Sequence, residues 1–346
     1  MNSLTTYTLY LFLFLFAGCA KAGGSGNNGK EPEKPIEIGL PAIYSIGNKQ
    51  DIKTNHKPGL LLAGGGTDVD EAMQWMLTNA NGGDIVVIRA SGADGYNAYL
   101  FSSLGISVNS VKSLVIDTRD KANKDSVFNM ICNAEALFIA GGDQSTYLRL
   151  WSDTKVHDAI KYLLEEKRVT IGGTSAGMAI LSEFSYTGER GSAISQEALM
   201  NPFDPKVTID KSFIKTALLS GYITDTHFSQ RDRFGRLVVF MARVAKDYKI
   251  SPKAIACDEY SAVCIESNGI AAVYGQNAFL VETLDTSTLT CETAKPLTWT
   301  HPLGALRYTK IRGNLSGTTT FNLLNWANNP NPWTHLNIVN GILTEL

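Results

Sequence analysis

The chain has 346 residues, of which 44% are hydrophobic, and a formal net charge of −2. This length and apolar content are sufficient for one large buried core. The balanced charge provides no electrostatic basis for binding nucleic acid or an anionic membrane surface, so any activity must reside in a local site.

The first 18 residues are predicted to be a signal peptide. Leu9–Phe16 is an unbroken apolar run, too short to span a bilayer but of the right length for the core of such a signal. The run leads into Phe16-Ala17-Gly18-Cys19, which resembles a bacterial lipoprotein box, in which the cysteine carries the lipid. Phe16 stands where Leu is usual and no Lys or Arg precedes the run, so an ordinary secretion signal remains the alternative.

Residues 19–36 have the composition of a flexible tether and include the run Gly23–Gly29. A single acyl chain holds only weakly to a bilayer, so the multiple acylation of bacterial lipoproteins matters for stable attachment. We therefore expect an exported protein of the cell envelope that touches the membrane only through a lipid on Cys19. Residues 37–346 are expected to form one domain.

Four cysteines follow Cys19, namely Cys132, Cys257, Cys264 and Cys291. In an oxidising compartment they allow one or two disulfides whose pairing the sequence does not fix, and buried free thiols are the default interpretation. The sequence contains no C-x-x-C pair, and its five histidines are scattered, so no structural metal is expected.

From about Lys57, short apolar runs alternate with longer amphipathic segments, which predicts right-handed βαβ units and a mostly parallel sheet in an α/β fold. The ligand is then expected at the carboxyl ends of the strands, where three glycine-rich segments fall. The predicted strands are Gly59–Ala63, Asp84–Ile88, Val111–Ile116, Ala136–Ala140 and Val169–Ile171, and the predicted helices are Asp68–Ala80 and His157–Lys167.

The second half of the chain is predicted to be richer in β structure. Ala254–Ile265 and Ile270–Val281 flank Ser267-Asn268-Gly269, a pattern typical of a β-hairpin. Thr318–Phe321 and Leu336–Leu346 are predicted to add edge strands in the C-terminal part.

The segment from Val169 to Ile180 has the pattern of a nucleophile elbow. A β-branched run meets the small-residue turn Gly173-Thr174-Ser175-Ala176-Gly177, and a helix-competent apolar stretch follows. Such a turn exposes the serine oxygen above the sheet, where the new helix N-terminus stabilises negative charge. The alternatives are a simple strand-to-helix turn or a phosphate loop, but no Lys follows the glycines and G-x-G-x-x-G is absent. Ser175 is the predicted nucleophile.

A serine hydroxyl needs a base, and the base needs an orienting carboxylate. Among the five histidines His227 is the predicted base, because it lies where a short strand breaks into a polar, cationic loop before a helix. The acid is not singled out locally, since Glu183, Glu189, Glu197 and Asp204 all lie between the serine and this histidine.

An oxyanion hole requires backbone N–H donors near the nucleophile. The residue after the nucleophile, Ala176, supplies one donor, and the strand ending in Gly141-Gly142-Asp143-Gln144 offers a loop for the second. The alternative for that loop is a plain strand-to-helix turn in which Asp143 caps the helix.

Together these segments resemble the cyanophycinase group of serine peptidases, relatives of the bacterial aspartyl dipeptidases. The resemblance covers roughly residues 58–285 and implies a flavodoxin-like, three-layer α/β fold of the class I glutamine-amidotransferase type, with Ser in place of the amidotransferase Cys. The matching segments are Leu62–Asp68, Ile85–Ala90, Gly141–Gln144, Gly173–Gly177 and Asp225–Arg231, and Asp258-Glu259 also fits in its strand context.

The resemblance implies a role for each matching residue. Ser175 would attack and His227 would act as base, while Gly142 and Ala176 would line the oxyanion hole. Glu197 is the best match for the acid, with Glu189 in reserve. Asp225, Arg233 and Arg236 match positions that recognise a β-aspartyl-arginine unit, in which Asp225 pairs with the substrate guanidinium and the arginines bind carboxylates. Gln144 would hold the substrate near the scissile bond. Together with Asp143 and Thr226, these four residues are the predicted substrate-binding set.

One departure concerns the substrate. Members of the group carry Gln immediately before the base, where this chain has Thr226, and the shorter side chain removes one contact with cyanophycin. The expected function is an exported serine exopeptidase that needs no cofactor and acts on β-aspartyl-arginine units or related β-aspartyl peptides. An α-aspartyl dipeptidase and a non-catalytic, peptide-binding lipoprotein are the alternatives, and a homodimer is left open.

Overall fold

The computed structural model describes residues 39–326 and 331–346. The predicted signal peptide, tether and lipidation site Cys19 lie outside the described residues. Residues Gly39–Leu346 form one compact unit. Within the described ranges, every helix is too short or too polar to cross a bilayer.

The strands of the described residues belong to two sheets. In chain order they are β1 (Ala42–Gly47), β2 (Gly59–Ala63), β3 (Asp84–Arg89), β4 (Ser110–Val115), β5 (Ala136–Ile139), β6 (Thr170–Thr174), β7 (Phe184–Tyr186), β8 (Ile209–Lys211), β9 (Tyr222–Asp225), β10 (Lys253–Cys257), β11 (Ser261–Glu266), β12 (Ile270–Gly275), β13 (Asn277–Thr283), β14 (Leu306–Arg312), β15 (Thr320–Asn322), β16 (Thr334–Val339) and β17 (Ile342–Glu345).

The α-helices connect the strands of the first half and cover both sheets. They are α1 (Asp70–Ala80), α2 (Arg119–Ala122), α3 (Asp125–Cys132), α4 (Gln144–Trp151), α5 (Lys155–Tyr162), α6 (Ala176–Ala179), α7 (Ser195–Met200) and α8 (Phe234–Tyr248). The predicted helix 157–167 begins earlier, in α5, and finishes as the π-helical turn Leu163–Lys167.

The first sheet confirms the predicted parallel core. Its order is β1-β4-β3-β5-β6-β2-β11-β12-β15, and the pairs from β4 through β3, β5 and β6 to β2 are parallel. The order β4-β3-β5-β6 is the 2-1-3-4 arrangement of a flavodoxin-like sheet, and β2 takes the next place. Antiparallel strands close both edges, which are β1 on one side and β11, β12 and β15 on the other.

Helices cover both faces of this sheet, so its central strands are apolar throughout. Leu61 and Phe138 pack on one face with Met73 and Met76 of α1. On the other face, strand residues such as Leu62 and Ile139 pack with Trp151 of α4 and Ile160 of α5. This three-layer arrangement follows from the alternation of side chains along each strand, which sends neighbouring residues to opposite faces.

The predicted hairpin has the correct pairings, but each arm crosses from one sheet to the other. Strands β11 and β12 pair around the 267–269 turn in the first sheet, whereas β10 and β13 pair in the second. Between the pairs Cys257↔Ala278 and Ser261↔Gly275, the first arm advances four residues and the second arm three. The extra residue forms a β-bulge, which bends the strand and turns Glu259 out of the ladder.

The second sheet has the order β17-β16-β14-β13-β10-β9-β7-β8. Strand β9 is parallel to β10, with Asp225 opposite Ala256, so these two strands end at the same edge. The helix α8 packs on this sheet through Leu237, Phe240 and Met241. The predicted C-terminal edge strands are present as β15, β16 and β17. Strands β16 and β17 extend the second sheet, and β15 extends the first.

All four cysteines of the described residues are free thiols. Cys257, Cys264 and Cys291 are buried, and Cys132 is partly buried. Burial raises the pKa of the Cys132 thiol to about 11, so it stays protonated at neutral pH. Of the two interpretations that the sequence left open, the structure therefore has the buried thiols and not the disulfides.

Candidate active site

The elbow turns as tightly as its sequence predicts. Ser175 joins β6 to α6 with φ 52° and ψ −115°, a conformation that non-glycine residues rarely adopt. A Cβ on Gly173 would lie 2.5 Å from the backbone carbon of Gly177, and a Cβ on Gly177 would lie 2.0 Å from the carbonyl oxygen of Ile139. Only glycine fits at both positions, and the strained serine between them points its hydroxyl away from the sheet.

Three side chains form a continuous hydrogen-bonded chain at this elbow. The Oγ of Ser175 lies 2.8 Å from Nε2 of His227, and Nδ1 of His227 lies 2.6 Å from Oε1 of Glu259. A carboxylate can only accept a hydrogen bond, so Nδ1 carries the ring proton and donates a hydrogen bond to Glu259. Nε2 is therefore unprotonated and can accept a hydrogen bond from the serine hydroxyl. His227 is 8% exposed, and the Glu259 side chain is 37% exposed.

The prediction that Glu197 orients the imidazole is wrong. Glu197 lies in α7, half exposed, and its Oε2 pairs with Nζ of Lys206 at 3.1 Å. The reserve choice, Glu189, lies on an exposed loop 3.9 Å from Nε of Arg190. The structure instead places Glu259 on the histidine, and this residue follows the base in the chain rather than preceding it.

The topology explains why Glu259 reaches the imidazole. His227 lies two residues beyond the end of β9, and Glu259 lies two residues beyond the end of the parallel neighbour β10. The carboxyl ends of adjacent parallel strands meet at one edge, and the bulge in the hairpin turns Glu259 toward that edge. Oε1 of Gln230 fixes the backbone by accepting the N–H of Glu259 at 2.9 Å.

A glycine loop after β2 holds the imidazole from the other side. The carbonyl of Gly64 accepts the N–H of His227 at 2.8 Å, and the carbonyl of Gly65 accepts the N–H of Tyr260 at 3.1 Å. Gly65 has φ +99°, and a Cβ there would lie 2.4 Å from Cε1 of His227. A Cβ on Gly66 would lie 3.1 Å from Cβ of Glu259. The glycines therefore permit backbone to lie directly against the histidine ring.

Burial lowers the pKa of His227 below its ordinary value of 6.5. The hydrogen bond to Glu259 opposes this effect, while the positive charges of Arg231 and Arg233 lower the pKa further. The imidazole is therefore neutral at neutral pH, which is the state that can accept a proton from Ser175.

A cavity of about 200 Å³ opens beside the serine. Both predicted oxyanion residues line it, and Ala176 is the first residue of α6, so its backbone N–H belongs to the helix N-terminus. The lining residues are Gly142, Gln144, Ser175, Ala176, Ala179, Tyr186, Gly188, Gly191, Ser192, Thr224, Asp225, Thr226, His227, Arg231, Arg233 and Arg236.

The structure corrects the prediction for Asp225 and Arg236. Nε of Arg236 donates to Oδ2 of Asp225 at 2.8 Å, and Nη2 donates to Oδ1 at 2.5 Å, so the pair is bidentate and buried. The guanidinium also donates to Ser192 and lies over the ring of Tyr186. Each member of the pair satisfies the other, so the Asp225 carboxylate already has a guanidinium partner within the protein.

Arg233 and Arg231 are the two cations of the cavity that lie outside this bidentate pair. Arg233 is the more buried of the two. Its Nη1 donates to the carbonyl of Thr226 at 2.7 Å and lies 3.7 Å from Oδ1 of Asp225. Burial lowers the pKa of Arg233 to about 10, with Asp225 opposing that effect, so the guanidinium stays charged at neutral pH. The Thr226 hydroxyl lies 3.4 Å from the same Nη1, so this residue contacts Arg233 from inside the cavity.

Asp143 and Gln144, the two polar residues of the loop after β5, have different roles. Asp143 caps α4 by accepting from the backbone and hydroxyl of Ser145, and it is absent from the cavity lining. Asp143 therefore has the capping role that the sequence offered as the alternative, and its contact with substrate stays a prediction. Gln144 does line the cavity, where its amide donates to the carbonyl of Tyr186 at 3.2 Å.

A metal centre is not formed by the described residues. Within 39–326 and 331–346, groups of three or more His, Cys, Asp or Glu side chains with metal-binding geometry do not occur. The site as described is an arrangement of serine, imidazole and carboxylate beside a cationic cavity.

Comparison with known proteins identifies the family to which this chain is similar. The family model described as Peptidase family S51 matches residues 60–272. A cyanophycinase of Synechococcus elongatus is 26% identical over 176 residues, which are 51% of this chain and 50% of that protein. A cyanophycinase of Trichormus variabilis is 25% identical over 182 residues, which are 53% of this chain and 55% of that protein. The chain thus spans about half the length of the curated relatives it matches.

Among solved structures, one match is a peptidase from an acI-B1 Actinobacterium. The TM-score is 0.47 at 15% sequence identity, and the match covers 65% of this chain and 91% of that one.

We predict that Gly65→Ala lowers the rate of acylation at Ser175 on the order of 100-fold, because the added methyl group displaces the imidazole. Gly221→Ala is the matched control, since Gly221 also has a positive φ (+76°) but open space around a Cβ. The measurement is the rate of labelling by a serine-reactive fluorophosphonate, with the melting temperature of each variant recorded alongside. Equal labelling rates in the two variants would contradict the contact.

We also predict that the acidic limb of the pH profile of kcat/KM lies below pH 6.5, because the pKa of His227 is lowered and the base must be neutral. Arg231→Gln removes a half-exposed positive charge, so the pKa of His227 rises and the limb moves to higher pH. Arg168→Gln, beside the opposite end of β6, should leave the limb in place. A limb that moves to lower pH in Arg231→Gln would refute this assignment.

Proposed function

The chain belongs to peptidase family S51, and from this membership we propose that it is a serine-type peptidase in which Ser175, His227 and Glu259 act as the triad. The observation that carries the proposal is the unbroken hydrogen-bond chain from the serine oxygen through the imidazole to the carboxylate. Its location at a strained elbow beside a cavity supports nucleophilic catalysis over a purely structural role.

The proposed reaction proceeds in two steps. Ser175 Oγ attacks the scissile carbonyl carbon as Nε2 of His227 takes the hydroxyl proton, and the imidazolium then gives this proton to the leaving amine. The C–N bond breaks and an ester on Ser175 remains. In the second step a water molecule is deprotonated by His227 and attacks the ester, which releases the acid and regenerates the serine. Glu259 keeps the proton on Nδ1 and stabilises the imidazolium.

Backbone donors supply the remaining charge stabilisation. The N–H of Ala176 and the N–H of Gly142 line the cavity beside Ser175 and would donate to the oxyanion of the tetrahedral intermediate. A Cβ on the adjacent Gly141 would lie 3.6 Å from Cβ of Ser175, so this loop lies within contact distance of the nucleophile.

The charges of the cavity support an acidic substrate. Of its lining residues, three are arginines and Asp225 is the single carboxylate, which Arg236 already satisfies. The cavity therefore has an excess of positive charge, and Arg233, which approaches Asp225 only to 3.7 Å, can pair with a free carboxylate of an aspartyl residue. We propose β-aspartyl peptides as the first substrate class, because the relatives matched along half their length are cyanophycinases.

An α-aspartyl dipeptidase activity is the second candidate, and one observation favours it. A β-aspartyl-arginine unit carries a guanidinium that needs a carboxylate, and the carboxylate assigned to it by resemblance is held by Arg236. An α-linked N-terminal aspartate followed by an apolar residue carries no guanidinium, and its side-chain carboxylate can pair with Arg233.

We propose that the protein is exported and held in the cell envelope by a lipid on Cys19. This part of the proposal rests on the apolar run Leu9–Phe16 and on the box that ends in Cys19. Mass spectrometry of the mature N-terminus tests it directly.

The triad proposal predicts that Ser175→Ala and His227→Ala each lower kcat by about 10³–10⁶-fold. Glu259→Gln should lower kcat by about 10⁴-fold, because the amide no longer holds the correct tautomer of His227. Glu197→Gln is the matched control, since it makes the same change on a carboxylate that pairs with Lys206. A wild-type rate in Glu259→Gln, or a large loss in Glu197→Gln, would exclude Glu259 as the acid.

The substrate proposal predicts hydrolysis of aspartyl peptides with a strong dependence on Arg233. Purified protein is assayed on cyanophycin, β-Asp-Arg peptides and α-Asp-Leu, with product analysis. Arg233→Gln should raise KM on the order of 100-fold, because a desolvated charge-assisted pair contributes about 1.5–3 kcal/mol. Faster turnover of α-Asp-Leu than of β-Asp-Arg selects the second candidate, and inertness toward every substrate rejects both.

A further inference from the structure

A buried carboxyl stands behind the glycine loop and takes no part in the proposed chemistry. Oδ2 of Asp68 accepts a hydrogen bond from the hydroxyl of Tyr96 at 2.6 Å. Its Oδ1 is buried and has no hydrogen-bond partner among the described residues. Burial raises the pKa of Asp68, while the hydrogen bond from Tyr96 and the nearby hydroxyl of Thr174 oppose that effect. This carboxyl therefore faces Thr174, the residue next to the proposed nucleophile.

Asp68 ends the loop that begins at Gly64. At the first end, the N–H of Gly64 donates to the carbonyl of Ser261 at 2.9 Å and fixes the loop to β11. At the second end, Asp68 accepts the hydrogen bond from Tyr96, whose ring centroid lies 5.0 Å from that of Phe138 in β5. The loop is thus held at both ends, and Gly65 lies between them against the imidazole of His227.

We infer that Asp68 is a positioning residue, which keeps Gly65 pressed on the imidazole of His227 by holding the glycine loop to Tyr96. The inference rests on the proposed function, because it assumes that His227 is the working base. The contact between Gly65 and His227 would also shield the imidazole from water, because the backbone of Gly65 lies against the ring. Loss of the hydrogen bond between Asp68 and Tyr96 would loosen the glycine loop, admit water to the imidazole of His227 and displace that ring from Ser175.

The charges around the imidazole decide the direction of the expected change. Glu259 faces Nδ1, and Arg231 and Arg233 face the ring from its own loop. None of these is altered by a substitution at Asp68, whose neighbours are Tyr96, Thr174 and Asp70. A looser loop would therefore raise the pKa of His227 toward 6.5 by hydration, whereas a direct electrostatic effect of removing a negative charge would lower it.

The chain supplies a matched control two residues further on. Asp70 Oδ1 accepts from the hydroxyl of Tyr99 at 2.7 Å, so the same pair of residue types is joined by nearly the same hydrogen bond. This second pair is exposed at the start of α1, beyond the end of the glycine loop. Substituting Asp70 thus removes an equivalent interaction without touching the loop.

The experiment compares Asp68→Ala, Asp68→Asn and Asp70→Ala with the wild type in the full chain. Two readouts are taken: the pH profile of kcat and kcat/KM on an aspartyl peptide, and the NMR titration of the His227 ring proton, identified by its loss in His227→Gln. We expect Asp68→Ala to lower kcat on the order of 10-fold with KM little changed, and to move both titrations to higher pH. Asp68→Asn retains an acceptor for Tyr96, so its titration should stay in place or move slightly to lower pH through the lost charge, and Asp70→Ala should titrate like the wild type.

Three results would overturn the inference. They are a His227 titration that stays in place or moves to lower pH in Asp68→Ala, a shift in Asp68→Asn as large as in Asp68→Ala, and an equal shift in Asp70→Ala. If Asp68→Ala does not fold, Tyr96→Phe removes the same hydrogen bond and carries the same expectation. A wild-type protein without peptidase activity rejects the proposed function alone, because the NMR titration still decides whether Asp68 acts on His227.

Discussion

The site depends on one close approach, that of the Gly65 backbone to the ring of His227. His227 follows β9 and Ser175 follows β6, which belong to different sheets, and the glycine loop after β2 packs against the imidazole that joins them. Because a Cβ at position 65 would lie 2.4 Å from the ring, this approach is available to glycine alone. The imidazole is buried where this contact is made, and burial is the largest cause of its lowered pKa, which keeps the ring neutral.

A second constraint is the distribution of charge in the cavity. Burying a carboxylate is costly unless it is paired, and the bidentate contact between Asp225 and Arg236 meets that condition while fixing the floor of the cavity. Arg233 and Arg231 lie outside this pair. Among the predicted substrate contacts, Asp225 and Arg236 therefore satisfy each other, and Arg233 is the residue that we propose binds a substrate carboxylate.

Much of the fold and part of the site were predictable from local pattern. The strands of the parallel core were predicted to within a few residues, because buried strands are short apolar runs bounded by turns. Ser175 was recognisable because an elbow needs small residues at fixed spacing. Glu197 was the wrong prediction because the acid was expected between the serine and the histidine in the chain, whereas Glu259 follows the histidine. Two signals pointed to Glu259: a strand followed by Asp-Glu, and the rule that parallel strands end at one edge.

The sequence by itself determined the alternation of strands and helices, the strained turn at Ser175 and the loop that carries His227. These features depend on residues close together in the chain, where side-chain size and backbone freedom act directly. Only the tertiary structure decided which carboxylate meets the imidazole, and which arginine forms the bidentate pair with Asp225. Those outcomes depend on the pairing of β9 with β10 and on a one-residue bulge between two sheets. Such long-range pairings are set by packing of the whole core, which no local pattern encodes.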